Sequence, residues 1–265
     1  MTSLTIDQLA AGYTNKSIIH NLTVEIPEKK ITTLIGPNGC GKSTLLKSIA
    51  RILKIQKGTI LLDGQDVYQL KTKQVAKKMA LLSQSMEPPA GLTIFEVVSY
   101  GRFPYQSGFG HLTKLDLEKI NWAIEVTSLT AIKEQTVDTL SGGQRQRTWI
   151  AMILAQDTDI IILDEPTTYL DLAHQLDILL LLQKLNQEEG RTIVMALHDL
   201  NHASRFSDHI IAMKNGDLVA EGSPKQMMTV PYLRETFEID PILVTCPFSN
   251  NPICLSYDML KKEHS

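Results

Sequence analysis

Gly36-Pro37-Asn38-Gly39-Cys40-Gly41-Lys42-Ser43-Thr44 follows the short apolar, β-branched run Ile31 to Ile35 and opens an apolar-periodic stretch from Lys42 to Leu53. Strand, glycine-rich loop and helix in that order are what a phosphate-binding loop requires. Glycines let backbone N–H groups turn inward around phosphates, and the helix N-terminus adds its positive dipole end. Lys42 would reach the β- and γ-phosphates of a bound ATP, and the Ser43 hydroxyl would bind Mg2+. A glycine-rich strand-to-helix turn without a ligand is the plainer alternative.

Working outward, short apolar runs ending in polar residues recur at Ile60 to Asp63, Met79 to Ser83, Ile160 to Asp164, Ile193 to His198 and His209 to Lys214. These are expected strands, with helical patterns between several of them. One helix is expected over Leu172 to Glu188, capped by Asp171 and stopped by Gly190. The alternation predicts an α/β core with a largely parallel sheet. From about residue 94 to 155 the pattern is helical without convincing strands, with Thr113 and Asp116 forming a capping-box-like start. We expect one domain over 1–265: a core at about 1–93 and 156–240, a helical subdomain inserted between, and a tail at 241–265. Ile242 to Cys246 and Ile253 to Tyr257, flanking Pro247 to Pro252, suggest a terminal hairpin.

Composition narrows the function classes. At 265 residues, 43% hydrophobic and 21% charged, the chain suits a globular protein with a full core. Its net charge of -3 gives no basic excess for nucleic acid. The three cysteines, Cys40, Cys246 and Cys254, suit a reducing cytosol. The most apolar runs are too short to cross a bilayer, so any membrane role needs another chain to span it. Cys40, at a helix start beside Lys42, is expected to be a reactive thiol shielded by ATP.

Ile160 to Leu163 ends in Asp164 and Glu165. Buried-strand logic would not place two carboxylates there. Asp164 fits a magnesium shell; Glu165, pointing differently, could polarise a water for attack on the γ-phosphate. Leu140-Ser141-Gly142-Gly143-Gln144 opens a further helix and forms a second anion site. One nucleotide needs only one cradle, so the second suits an ATP held by another copy. Alone, it would read as a capped helix start.

Together these motifs resemble the ATP-binding cassette family, whose signature pentapeptide is Leu140 to Gln144, over roughly residues 1 to 240. The resemblance implies a P-loop NTPase core, an antiparallel β subdomain and an inserted helical subdomain. It implies that Gln84 links the metal and attacking water to the membrane partner, where a plain surface amide is the alternative. By the same resemblance His198 contacts the γ-phosphate, Tyr13 stacks on adenine unless it is a core tyrosine, and Asp171 lies in the inter-subunit loop while also capping a helix. Thr168 stands where Ser is commoner and keeps the hydroxyl.

Three stretches are similar to a narrower group, the ATPase subunits of importers for ferric siderophores, haem and cobalamin, with ferric hydroxamate importers nearest. They are Gly36 to Thr44, Val98 to Tyr105 and Thr167 to Gln175. The implied protein is an ATPase acting as a homodimer when ATP is bound. It would sit at the cytoplasmic face of the membrane with permease subunits and, indirectly, a substrate-binding protein. A small-molecule kinase would leave Ser141 to Gln144 and His198 idle. A DNA-repair or translation cassette usually carries a second cassette or a long coiled coil, and a non-hydrolysing module would not need Glu165.

Overall fold

The computed structural model describes residues 3–13, 16–84, 90–106 and 111–260. Strands β1 (Leu4–Tyr13) and β2 (Lys16–Ile26) lead into β3 (Ile31–Ile35) and helix α1 (Lys42–Ile49). Next come β4 (Ile55–Leu62), β5 (Gln65–Asp66), α2 (Thr72–Ala76) and β6 (Met79–Leu82). A helical stretch follows: α3 (Ile94–Ser99), a tight 3-10 turn at Tyr100–Tyr105, α4 (Lys114–Val126) and α5 (Gly142–Ala155). The chain returns through β7 (Ile160–Asp164), α6 (Leu172–Glu189), β8 (Thr192–Ala196), α7 (Leu200–Phe206), β9 (His209–Lys214) and β10 (Asp217–Gly222). It closes with α8 (Pro224–Met227), α9 (Val230–Phe237) and the pair β11 (Ile239–Thr245) and β12 (Pro252–Met259).

The main sheet runs β10-β9-β3-β8-β7-β6, parallel except for the edge pair β9–β10. Every residue of β3, β7 and β8 is buried, as expected for parallel strands covered on both faces. Alternation then sorts their side chains. Ile161 and Leu163 join α5 and α6 in one core, whereas Ile160 and Ile162 join α1 and the second sheet in another. That second, antiparallel sheet runs β2-β1-β4-β5. The fold is thus the expected α/β arrangement with an antiparallel β layer and helical segments. Among the described residues no helix is long and apolar enough to cross a membrane.

Three local departures have physical causes. Helix α1 stops at Ile49 instead of reaching Leu53, because Arg51 turns left-handed (φ 60°) and the Ile52 and Leu53 amides both fold back to the Lys47 carbonyl. Strand β4 starts at Ile55 because β1 offers it a partner as far back as Ala11. Strands β1 and β2, unforeseen in the sequence, bury Leu4, Ile6 and Leu9 against Leu22, Val24 and Ile26, with register shifts that break simple alternation.

The topology decides where the chemistry lies. β3, β8, β7 and β6 are neighbours and parallel, so the segments leaving their C-terminal ends all emerge at one edge of the sheet. Gly36, His198, Asp164 with Glu165, and Gln84 occupy those four exits.

Candidate functional site

The loop after β3 is held open by backbone geometry. Gly36 has φ 149°, and a Cβ there would stand 2.1 Å from the Met213 carbonyl oxygen, so only glycine fits. Gly39 and Gly41 also have positive φ, at 78° and 111°. The Cys40 amide donates to the Pro37 carbonyl at 3.2 Å, closing the turn. Among the described residues no side chain caps α1, which leaves its first-turn N–H groups to the loop. The Lys42 ammonium lies inside it, donating to the carbonyls of Gly36 (2.7 Å) and Pro37 (3.3 Å).

Beneath the loop, the Ser43 hydroxyl donates to Oδ1 of Asp164 at 2.8 Å. Asp164 is 1% exposed, and its Oδ2 has no hydrogen-bond partner among the described residues. Burial pushes its carboxyl above the usual range, against the Ser43 hydrogen bond and the charges of Lys47 and Lys42. A buried, under-satisfied carboxylate oxygen beside a hydroxyl is the donor set of a hard cation. Among the described residues no three His, Cys, Asp or Glu are grouped to hold a metal. That fits magnesium, which binds through one or two carboxylates plus phosphate oxygens rather than an all-protein cage.

Glu165 takes a left-handed conformation (φ 56°), which turns its side chain away from the direction Asp164 points. Oε1 lies 2.5 Å from His198 Nε2, while Oε2 accepts from the Gln84 amide at 2.6 Å and from the Thr168 hydroxyl at 3.1 Å. Tyr13 stands at the rim, 47% exposed, which disfavours its reading as a core residue. With Asn38 to Thr44, Gln84, Glu165 and His198 it lines one cleft of about 420 Å³.

The segment expected to form a second anion site, Leu140 to Gln144, lies elsewhere. Ser141 caps α5, its hydroxyl accepting from the Gln144 amide (3.3 Å) while Gln144 Oε1 accepts from the Ser141 amide (3.0 Å). Among the described residues, those that line the cleft do not include Leu140, Ser141, Gly142 or Gly143. Asp171 caps α6, accepting from the His174 amide at 2.9 Å, and its Oδ1 lies 2.7 Å from His174 Nδ1.

Two contacts carry information the motifs did not. The Thr168 hydroxyl orients Glu165, and the His174 ring packs on Gly143, where an added Cβ would come within 2.6 Å of it. The expectation of a reactive Cys40 is corrected: Cys40 is only 3% exposed, with its thiol turned against Gly36 and Lys42. Cys40 borders the cleft, but at 3% exposure it is buried rather than open to reagents.

The sequence profile of the ABC transporter family matches residues 19–168. Over 263 residues the chain is 54% identical to the iron(3+)-hydroxamate import ATP-binding protein FhuC of Bacillus subtilis (strain 168), covering 99% of this chain and 98% of that one. It is 44% identical to the ferric enterobactin transport ATP-binding protein FepC of Escherichia coli (strain K12), covering 93% and 91%. Among solved structures, a metal-chelate type ABC transporter in an inward-facing conformation superposes with a TM-score of 0.82 at 26% identity, covering 97% and 98%. The dimeric structure of a bacterial ABC transporter cassette does so at 0.73 and 28%, covering 83% and 98%.

Proposed function

This chain belongs to the ABC transporter family, and on that premise we propose that it is the ATP-hydrolysing subunit of an iron(III)-siderophore importer, hydroxamates being its cargo class. It acts as a homodimer on the cytoplasmic face of the membrane, beneath separate permease subunits fed by a substrate-binding protein. Residues 94–155 form its helical subdomain, inserted in a core made of about 1–93 and 156–240.

The observation that carries the ATPase reading is the convergence of Gln84, Thr168 and His198 on the Glu165 carboxylate at the mouth of the phosphate loop. Residues Gly36 to Thr44 cradle the phosphates and Lys42 neutralises them; Tyr13 stacks on the adenine. Ser43 and Asp164, with Gln84 at the edge, would hold a magnesium ion, which would offset phosphate charge. Glu165 accepts the proton of a water as its oxygen bonds to the γ-phosphorus and the bond to the β–γ bridging oxygen breaks, leaving ADP. His198 donates to the γ-phosphate, and Gln84, bonded to Glu165, would help position the attacking water.

Leu140 to Gln144 lie outside the cleft of their own chain and complete that of a second copy, with Asp171 in the loop between the two. The cargo reading rests on likeness to FhuC and FepC, because the chain itself does not touch cargo. Capture of the chain's partners from native membranes, followed by ATPase assay of the reconstituted complex, tests it. ATP turnover and iron uptake driven by a ferric hydroxamate support the proposal. Response to haem or cobalamin instead would replace the cargo, and a chain that captures no integral membrane partner would overturn the transport role.

A further inference from the structure

Tyr169 is 93% exposed and sits in the left-handed region at φ 64°, where a bulky side chain is uncommon. Leu172, three residues on, is 80% exposed. Single exposed apolar side chains are ordinary. These two, however, flank Asp171, whose carboxylate holds the His174 ring against Gly143. The segment 169–174 and the Ser141 helix start therefore belong to one face.

A second pocket, of about 340 Å³, lies directly behind His198, which it shares with the ATP cleft. Leu200, Phe237, Ile239, Cys254 and Tyr257 line it together with the polar Asp199 and Asn201. The β11–β12 pair is firmly seated on α7. Asn201 donates to the Cys254 carbonyl (3.0 Å) and accepts from the Cys254 amide (2.7 Å), and the Asn251 side chain donates to the Ser204 carbonyl (2.8 Å). Tyr257, one of its lining residues, remains 66% exposed.

We infer that in the ATP-bound homodimer Tyr169 of each copy inserts into the pocket behind His198 of the other. The inference rests on the sandwich reading above, in which the Ser141 face of one copy covers the His198 cleft of its partner. With Ser141 of one copy over the cleft of the other, the segment bordering Ser141 is brought to the partner's surface near His198, and two-fold symmetry repeats the contact. One side offers a protruding, exposed aromatic ring; the other offers a pocket lined mainly by aromatic and aliphatic side chains. The C-terminal strand pair is thereby part of the dimer contact, and Asp171 is clamped beside the partner's His198 only when ATP closes the pair.

The full-length Glu165→Gln chain, expected to bind ATP without turning it over, carries the test. In that background Tyr169→Cys is treated with a short bis-maleimide, with and without ATP and magnesium, and dimer formation is followed in the same samples by light scattering. The expected result is an ATP-dependent covalent dimer through native Cys254, lost in Tyr169→Cys/Cys254→Ser. Cys40 and Cys246, 3% and 5% exposed, are poor competitors. A dimer that forms with ATP but does not cross-link through Cys254 overturns the inference and leaves the sandwich standing; a chain that never dimerises with ATP overturns both. Independently, Tyr169→Ser and Tyr257→Ser should each raise the dimer dissociation constant about tenfold, as for an aromatic anchor. Combined, they should cost little more than either alone, with Tyr169→Phe close to wild type. Fully additive losses would mean that the two residues do not meet.

Discussion

Oε1 of Glu165 stands 2.5 Å from Nε2 of His198, and Oε2 of the same carboxylate is taken up by Gln84 and Thr168. One carboxylate thus receives groups from the exits of β6 and β8 as well as from its own loop. A side chain held from three directions loses little further freedom when the reaction begins, which is what a positioned base needs.

Glu165→Gln preserves the shape and removes the charge, so ATP binding should survive while turnover falls about 100-fold or more. The ATP-bound dimer should then accumulate in light scattering with ATP and magnesium. Normal turnover by this variant would remove Glu165 from the role of base.

Lys42→Ala and Ser141→Arg break opposite halves of a composite site. Each variant alone should hydrolyse ATP poorly, since both sites of its homodimer are damaged. Mixing them should restore activity, because a heterodimer pairs the intact loop of one chain with the intact Ser141 of the other. If either variant alone turned over at the wild-type rate, the sandwich would be wrong.

How much of this was legible in the sequence follows from where each signal resides. β3, β7 and β8 were readable because continuous β-branched runs end in residues a core would not choose: Gly36, Asp164 and His198. β1 was not, because Gln8 bulges at φ 48° and the buried positions Leu9, Ala10 and Ala11 run consecutively instead of alternating. β10 carries Asp217 and Glu221 at the sheet edge around only three apolar residues, Leu218 to Ala220, none of them fully buried. In the site, Gln84, Glu165 and His198 stand out at strand ends, and the structure gathers them. The Thr168–Glu165 hydrogen bond and the His174–Gly143 packing arise from a left-handed turn and a helix crossing, neither of which has a sequence spacing to betray it. The Cys40 expectation failed because residue type gives chemistry, whereas burial gives access.

Asp157 ties the helical stretch to the core, pairing with Lys119 of α4 at 2.8 Å and with Arg191 before β8 at 2.9 Å. Burial alone would push its carboxyl up, but the hydrogen bonds and charges of Lys119 and Arg191 outweigh that and hold it below the ordinary range. A depressed folded-state pKa means that the folded chain resists protonation. The stabilisation is therefore present above the unfolded value, near 4, and is lost as pH falls through the lower folded value. Melting temperature should drop as pH is lowered from about 5 to about 3, and Asp157→Asn should be less stable at neutral pH with a shallower slope over that window. An unchanged slope would assign the acid sensitivity to other carboxylates.

Gly143 decides between two opposing effects of a single methyl group. It lies in the first turn of α5, where alanine is favoured over glycine by about 1 kcal/mol on helix propensity alone. A Cβ at that position, however, would lie 2.6 Å from His174 Cδ2 and 3.0 Å from Cγ and Nε2. The ring cannot swing aside freely, because its Nδ1 is bound to Asp171 at 2.7 Å, and Asp171 is committed to capping α6. Overpacking of this kind costs about 1–3 kcal/mol, so it should outweigh the propensity gain. Gly143→Ala should lower the urea midpoint, and adding His174→Ala should restore it to the level of His174→Ala alone or above. The pair would then show a coupling that neither change reveals singly. Should Gly143→Ala raise the midpoint with His174 still in place, the ring yields at little cost and the contact does not fix the Ser141 helix start.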